Sequence, residues 1–503
     1  MDRRNEHGVA LVITLFLMAA LSALAVSLMF LSQTETSASR NYKTMSQARY
    51  AGEAGVHKAM NYLMSDAYTT TLAGTYGSLT TGVYPVQWNG ADVTLNPTTS
   101  GTPTYPNSTV RAVYAAMFSG TANDLPAGSA NLKYTATAKL LSMQPVNVYG
   151  SNTKYIQTWQ ITATGTVQGP LPATVDVTAI LERDIAPAQT YAVFATGNGC
   201  GAINLSGTSH TDSYDSRTLA GTPPAPVIAN SGGGVGTNGN LSITGHVLVN
   251  GNLDTPRTGV GDCHAGTPTA LSEGGSADVS GSIVPLPQER TFTTPDPPVV
   301  PTTNFPDVDA TLAWCTAVMA ASPGAVATCT FPDSRNVVIT MADATPLALG
   351  NVSISSQMNL TINAGAGGTA NINVNSLSLG AQGKITIGPN TAVVMNVLGD
   401  GVATPIDLTG NGFSNPSYDA SKFQIIYAGT GLIKMVGGSD AAFSVYAPNA
   451  AVVLNGNADL YGSVLSKTYT NGGNGSVHYD RALQSKFFML GNWVMSSFSW
   501  KKY

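Results

Sequence analysis

Three consecutive residues near the C-terminus have types that could support acid–base chemistry. In His478, Tyr479 and Asp480, alternate positions of a strand would place the imidazole and the carboxylate on one face. A hydrolase would also need a nucleophile or a metal site, and the chain has neither a G-x-S-x-G elbow nor an H-E-x-x-H pair. We therefore predict a structural role for this triplet and no catalytic residues.

A second polar group offers oxygen atoms of the kind that Ca²⁺ prefers. It comprises Asp400, Asp407 and Asn411, in the sequence GDGVATPIDLTGNG. The ligand spacing of an EF-hand loop is absent, which favours solvated turn residues over a Ca²⁺ site. We predict no cofactor and no metal, with Ca²⁺ at these residues as the alternative.

The chain contains four cysteines, and none of them is spaced as C-x-x-C. Zinc sites usually pair their ligands closely, so structural disulfides are the better interpretation. Three pairings are possible. We favour Cys315 with Cys329, which closes a short loop, and Cys200 with Cys263. Disulfides persist in oxidising compartments, so this part of the chain is predicted to lie outside the cytoplasm.

Composition limits the class of protein. The 503 residues suffice for more than one domain, only 10% of them are charged, and 53 are glycine. Low charge with many glycines is typical of a β-rich extracellular protein with tight turns. The net charge of −5, without a basic cluster, gives no reason to expect a nucleic-acid partner.

An apolar stretch near the N-terminus must position everything that follows. Residues 9–31 lack charge and follow a polar leader, MDRRNEHG. As a helix they would rise about 35 Å, enough to cross a bilayer once. A secretory signal peptide would be shorter and would end at an A-x-A-type site. Basic residues flank both sides of the span, but the cysteines and the long polar C-terminal part favour a cytoplasmic leader.

Gly8 followed by VALVITLFLMAALSALAVSLM resembles the class III signal of type IV pilins and pseudopilins. The resemblance implies that prepilin peptidase cuts between Gly8 and Val9 and that the apolar helix remains on the mature protein. We expect an extended, accessible peptide bond at Gly8, between the charged leader and the helix.

Two further positions refine this resemblance. Most major pilins carry a glutamate at the fifth residue after the cut, where this chain has Ile13. In this respect it resembles PilX and GspK, minor pilins proposed to sit at the filament tip. The segment QARYAGEAGVHKAM also resembles the YAAEAG segment of that subgroup. Glu53 in this segment is either a packing residue for assembly or an ordinary surface charge.

The remaining sequence divides by its hydrophobic pattern. Residues 1–8 are the leader. Apolar and small residues spaced by three or four predict that the helix of 9–31 continues, giving one pilin-type helix over 9–64. Period-two segments such as YIQTWQITATGTV predict an antiparallel β head over 65–190 with one face in water.

After the predicted head, short apolar triplets separated by Gly or Asn predict coils of a parallel β-helix. They occur in two segments, 191–284 and 336–490. Between these lie a Pro-rich linker or strap, 285–307, and a Cys-flanked insert, 308–335. The aromatic tail 491–503 is predicted to cap the solenoid, and an exposed surface for a partner is the alternative. A β-sandwich is the alternative for the last part, and sequence leaves open whether the β regions form one solenoid or two domains.

The stretch APNAAVVLNGNADLYGSVLSKTYTNGGNGSVHYDRAL resembles the β-helical module that often follows PilX-type N-termini. The fold class is thus α+β, mostly β. The leading hypothesis is a non-enzymatic minor pilin in the inner membrane, spanning it once. Its β-rich part would be periplasmic and later extracellular on a filament.

The expected partners are other pilins, prepilin peptidase, the inner-membrane assembly platform and a surface or glycan ligand. The alternatives are a membrane-anchored β-helical enzyme acting on surface polysaccharide and a plain single-span surface adhesin.

Overall fold

A computed structural model describes residues 6–65, 68, 78–80, 82–98, 103–119, 131–146, 154–301, 305–309, 311–342, 345–355, 357–365, 368–380, 382–409, 412–436, 441–457 and 459–502. The chain divides into two compact units. The head unit comprises Met1–Pro145, Tyr155–Asp184 and Gly491–Tyr503, and the solenoid unit comprises Val146–Lys154 and Ile185–Leu490. The predicted fold class, a long N-terminal helix followed by mostly β structure, is confirmed.

In its described residues, the head unit combines helices with a five-stranded sheet. Its elements are α1 Glu6–Met64, β1 Gln87–Trp88, β2 Ala91–Asp92, β3 Thr94–Leu95, α2 Ser108–Ser119, β4 Leu132–Val146, β5 Lys154–Val167, β6 Ala173–Pro187 and the C-terminal strand Phe488–Lys502. The sheet order is β3-β4-β5-β6 and then the C-terminal strand, while β1 and β2 form a separate pair.

Helix α1 begins at Glu6, which corrects the expectation of an extended peptide bond at Gly8. The sequence from Glu6 to Met64 contains no proline, so no residue removes a helical hydrogen bond. Gly8 lies in the first turn, where backbone N–H groups have no intrahelical acceptor. A protease that needs an extended substrate must therefore unwind this weakly held turn.

The second half of α1 packs on the sheet through small residues. Ala48, Val56 and Ala59 are fully buried there. A Cβ at Gly165 of β5 would overlap the Ala48 carbonyl oxygen and the Gly52 amide nitrogen. A Cβ at Gly52 would lie 2.8 Å from Val177 Cγ2 of β6. The two glycines thus allow backbone-to-backbone contact between helix and sheet.

Antiparallel pairing of β5 with β6 gives the sheet one buried and one polar face. Trp159 and Ile161 are buried in the core, whereas Thr164 on the other face donates a 2.6 Å hydrogen bond to Asp176 Oδ1. The period-two pattern predicted this alternation, and the antiparallel β head is confirmed.

The solenoid unit is a stack of parallel strands. Its strands are β7 Val193–Ala195, β8 Ile203–Leu205, β9 His210–Tyr214, β10 Val235–Thr237, β11 Leu241–Gly245, β12 Leu248–Val249, β13 Leu253–Thr255, β14 Leu271–Gly275, β15 Asp278–Val279, β16 Ile283–Pro285, β17 Val326–Asp333, β18 Asn336–Met341, β19 Leu347–Ala348, β20 Asn351–Ile354, β21 Asn359–Asn363, β22 Thr369–Val374, β23 Ser376–Leu379, β24 Lys384–Ile387, β25 Ala392–Val397, β26 Ile406–Leu408, β27 Gly412–Ser414, β28 Phe423–Tyr427, β29 Ile433–Val436, β30 Ala441–Asn455, β31 Leu460–Asn471 and β32 Val477–Asp480. The described residues of this unit also form the helix α3 Thr311–Ala321 and the 3₁₀ helices Ala420–Lys422 and Arg481–Ser485.

Strands of successive coils pair in parallel and in register. One column runs Val193, Val235, Leu253 and Ile283, all from first strands of consecutive coils. Such columns stack apolar residues into one continuous core. The parallel β-helix is confirmed, and the β-sandwich alternative is wrong because these strands do not pair antiparallel.

The two solenoid-like segments of the sequence form a single stack. The last coil of the C-terminal segment, β31 and β32, pairs in parallel with β7, β8 and β9 of the first coil. Strands of both segments accordingly belong to one 21-stranded sheet. Sequence left this point open, and the structure resolves it as one solenoid.

The Pro-rich segment runs back along this stack. Arg290 N donates to Asn238 Oδ1 near the first coils, Tyr446 OH donates to the Thr293 carbonyl, and Val308 N donates to the Ser353 carbonyl on the terminal strand β20. The segment therefore acts as a strap. Proline is compatible with this role, because a strap outside a β-sheet needs no backbone N–H groups for a hydrogen-bond ladder.

The predicted cap role of the aromatic tail 491–503 is wrong. Those residues lie in the C-terminal strand of the head sheet. The last coil needs no cap, because the first coil covers it. The β20 end of the stack is instead closed by α3 and by β17, which pairs antiparallel with β18. Trp314 and Val318 of α3 are fully buried there.

Both favoured disulfides are present. Cys315 and Cys329 join α3 to β17 within the closing element, with Cα atoms 5.6 Å apart. Cys200 and Cys263 join the β7–β8 turn to the β13–β14 loop, also with Cα atoms 5.6 Å apart. Each bond thus secures a segment near one end of the solenoid.

Gly165→Ala should destabilise the head unit, because its methyl group would separate α1 from β5. The expected loss is about 1–3 kcal/mol, typical of an overpacked core. The full-length protein in detergent should unfold its head unit at a lower temperature. Gly82→Ala is the matched control, since a Cβ at Gly82 meets no atom within 4 Å. Equal melting of the two variants would contradict the close-approach interpretation.

Candidate functional site

The first half of α1 is an apolar surface that no described residue of its own unit covers. The large apolar side chains from Val9 to Leu31 are between 52% and 71% exposed. By length and composition this helix can cross a membrane, and none of its most apolar window is buried. The segment thus has the properties of a single-pass membrane anchor as in pilins.

Ile13 lies on this uncovered surface and is 58% exposed. A carboxylate at this position would be costly in hydrocarbon unless it had a partner. Val9 is similarly exposed, at 61%, four residues before Ile13 on the same helix. The structure therefore places both residues where a membrane or another helix would contact them, and the role of Ile13 in assembly stays a prediction.

Glu53 directly follows Gly52, where α1 contacts the sheet. Its Oε1 accepts a 2.8 Å hydrogen bond from Arg49 Nε, one helical turn earlier. The Arg49 guanidinium also lies over the Trp500 ring of the C-terminal strand, 5.4 Å from its centroid. Glu53 thus has an ion-pair partner within its own helix, and a role between subunits stays a prediction.

In the solenoid unit, His478 belongs to a polar network that the sequence did not predict. Its Nδ1 lies 2.5 Å from Asp212 Oδ1, and its Nε2 lies 3.6 Å from Asp459 Oδ2. His210 Nε2 is 3.4 Å from Asp212 Oδ2, and His210 Nδ1 is 3.0 Å from Ser476 Oγ. The backbone N–H of Ser476 donates to Asp459 Oδ1 and closes the ring of contacts.

These five residues meet because β32 pairs with β9 in register, with His478 opposite Asp212. The two residues are 266 positions apart in sequence. Both are almost fully buried, whereas His210 and Asp459 are partly exposed. One sequence feature could have indicated the network, namely His210 and Asp212 as alternate residues of one strand. Such a pair is too common to be specific.

The protonation of His478 is set by this network. Burial alone would lower its pKa, but hydrogen bonds and charge from Asp212 and Asp459 prevail and raise the pKa to about 9. The pKa of Asp459 is lowered, because its contacts with His478 and the Ser476 N–H outweigh burial. At neutral pH, His478 is thus an imidazolium ion paired with carboxylates.

Ser476, His210 and Asp212 form a chain of contacts with the residue types of a hydrolytic triad. Two observations argue against hydrolysis at this site. Ser476 is only 1% exposed, so its hydroxyl cannot reach a substrate. Its backbone N–H, which would sit in an oxyanion hole, already donates to Asp459. The contacts are suited to holding β9 and β32 together.

The other two residues of the predicted triplet make structural contacts. Tyr479 OH donates to the Gln189 carbonyl, and Asp480 caps the following 3₁₀ helix by accepting from Ala482 N. Asp480 also accepts from Ser216 N and Ala420 N, so it fixes three backbone segments. Burial raises the pKa of Asp480 despite these bonds.

The weak Ca²⁺ candidates do not assemble within the described residues. Asp400 is exposed in a turn, where its backbone N–H donates to Asn375 Oδ1. Asp407 lies on β26, and Asn411 lies outside the described residues. In the described part of the chain no three His, Cys, Asp or Glu side chains are grouped to hold a metal.

A long helix with an uncovered apolar half, whose other half packs on an antiparallel sheet, has the architecture of a membrane-anchored pilin-like subunit. Comparison with known proteins agrees for the N-terminal part. Residues 7–57 match the PilX N-terminal family model, and residues 347–486 match a domain of unknown function (DUF7305). The N-terminal segment is therefore PilX-like, as its sequence indicated, and the second match lies within the solenoid unit.

The curated proteins contain no match to this chain. Among solved structures, the chain is similar to the competence-associated pilin ComZ from Thermus thermophilus, at 13% identity and a TM-score of 0.27. That alignment covers 92% of this chain and 98% of the ComZ chain. At this TM-score the similarity does not establish a shared fold, and no argument below depends on it.

His478→Gln should make the stability of the solenoid unit less dependent on pH. With a pKa of about 9 in the folded state and an ordinary value of 6.5, the imidazolium contributes fully below pH 6.5. This contribution, roughly 3 kcal/mol, is lost as the pH rises through about 9. Chemical unfolding between pH 6 and 10 should show the wild type and variant converging at high pH.

The exposed His246, changed to Gln, is the control for this titration. That variant should follow the wild type at every pH. A stability difference between His478→Gln and wild type that stays constant from pH 6 to 10 would contradict the charged-pair interpretation.

Proposed function

We propose that this protein is a minor pilin, inserted in the inner membrane and incorporated into, or priming, a type IV pilus-like filament. The observation that carries the proposal is the coincidence of the PilX N-terminal match, residues 7–57, with a helix whose apolar half is uncovered. A helix of this kind needs a membrane before assembly and neighbouring helices afterwards.

Processing is the first step of the proposed mechanism. Prepilin peptidase cuts after Gly8, on the cytoplasmic side, and Val9 becomes the first residue. The weakly held first turn of α1 favours cleavage, because its unwinding breaks few hydrogen bonds. The inner-membrane assembly platform then moves the subunit out of the bilayer into the filament.

The position of the subunit in the filament follows from Ile13. A neighbouring subunit's N-terminal amine would be neutralised by a glutamate here, and isoleucine offers no charge. A subunit that lacks this partner starts a filament better than it extends one, which supports a tip or priming position. The β-rich part would then contact a surface or glycan ligand.

Gly8→Val should block processing, because a branched side chain obstructs the peptidase and stiffens the scissile bond. The variant should keep its eight-residue leader and migrate more slowly on a gel than the mature wild type. N-terminal sequencing should begin at Val9 only in the wild type. Gly82→Val, at an open position, is the control. Equal mobility of Gly8→Val and wild type in cells with the peptidase would refute processing.

Ile13→Glu should raise the amount of this subunit per filament, because the carboxylate can neutralise a neighbour's amine. Quantitative mass spectrometry of sheared filaments measures its ratio to the major pilin. The wild type should be a minor species, and Ile13→Val should not differ from it. A wild-type subunit as abundant as the major pilin would rule out a tip position.

A further inference from the structure

The C-terminal strand forms one outer edge of the head sheet. The sheet order ends with this strand, and within the described residues nothing pairs with its outer side. Over residues 493–500 the strand thus has backbone N–H and C=O groups directed away from β6. Such an edge is a template for another strand unless the sequence blocks it.

The sequence of this edge lacks the usual protection. From Trp493 to Trp500, WVMSSFSW, it has no charged residue and no proline. Four of its apolar side chains are 39–50% exposed: Val494, Met495, Phe498 and Trp500. By contrast, the strand is fixed on its inner side, where the Arg183 Nε donates to the Gly491 carbonyl. The outer edge is therefore apolar, and no described strand pairs with it.

The outer edge of the C-terminal strand lies too far from the membrane for lipid to cover it. Trp500 contacts Arg49, which lies 18 residues beyond Leu31 on the same helix. Eighteen residues of α-helix rise about 27 Å, and the polar layer of one bilayer leaflet is only about 5–8 Å thick. Tilting α1 by an average angle of about 20° shortens this height by only a few ångströms.

The distance of this edge from the membrane also indicates which partner can reach it. A second subunit with a pilin-type helix, anchored at the same depth, has its own head at the same distance from the membrane. The aromatic end of the C-terminal strand touches α1 itself, so this edge continues the lateral surface by which such helices pack. Main-chain pairing along an edge accepts many sequences, provided that the incoming strand is extended and partly apolar.

We propose that the C-terminal strand docks a second pilin-type subunit, which adds a strand of its head to this edge. The inference rests on the proposed function, because the partner comes from the same filament system. It extends that function by assigning a contact surface outside the membrane helix. The five-stranded head sheet thereby becomes part of a sheet shared between two subunits.

Site-specific photocross-linking tests this contact in cells that carry the filament system. The full-length chain receives p-benzoylphenylalanine in place of Phe498, or of Met495 if that variant fails to accumulate. Phe331, a comparably exposed strand residue of the solenoid unit, is the matched control at 45% exposure. Phe16 in the apolar helix, 71% exposed, reports pilin contacts independently of the edge.

The proposal expects the Phe498 probe to link a pilin-type chain through a peptide from a head strand. Adding Val494→Glu should abolish that product, and the Phe331 probe should not form it. If the Phe16 probe links pilins while the edge probe links only lipid, other proteins or nothing, the docking surface is refuted and the proposed function stands. If the Phe16 probe links no pilin, both fail. The same product from Phe331 would also refute the surface.

Discussion

The structure depends on one constraint: among the described residues of its own unit, nothing covers the apolar half of α1. The same helix is held at its other half by a contact so close that two glycines are needed, Gly52 and Gly165. The anchored half fixes the direction of the free half. The apolar half of the helix therefore extends from the folded head with its side chains exposed, and burying them in a membrane or against other helices would be favourable.

The solenoid unit builds one stack from two segments that are far apart in the sequence. The first coil after the head pairs with the last coil before the C-terminal strand, so the chain enters and leaves the solenoid at adjacent coils. The Pro-rich strap makes this possible by returning the chain to the far end. His478 and Asp212 link the first and last coils through a buried charge pair, and removing one partner alone would leave the other charge buried without compensation.

Local patterns in the sequence predicted much of this. The apolar run 9–31 predicted the helix, and the residues from this run onward carried the PilX resemblance that the match over residues 7–57 confirms. Period-two alternation predicted the antiparallel sheet, and short apolar triplets predicted parallel coils. The disulfide between Cys315 and Cys329 followed from the short loop between them.

Non-local pairing explains what was missed. The aromatic tail has the composition of a cap, but strand pairing placed it on the head sheet, and no local signal indicates its partner. The partners of His478 lie far away in sequence and meet only through the register of β32 with β9. Glycines at 52 and 165 are visible in the sequence, yet only the fold shows that they face each other. Helix formation from Glu6 was missed because a glycine near a helix end usually marks a break.

Mass spectrometry of the chain in sheared surface filaments tests the central claim most directly. The account predicts a mature chain that begins at Val9 and occurs in the filament fraction. A chain that still carries residues 1–8, and that occurs only in the membrane fraction, would contradict it.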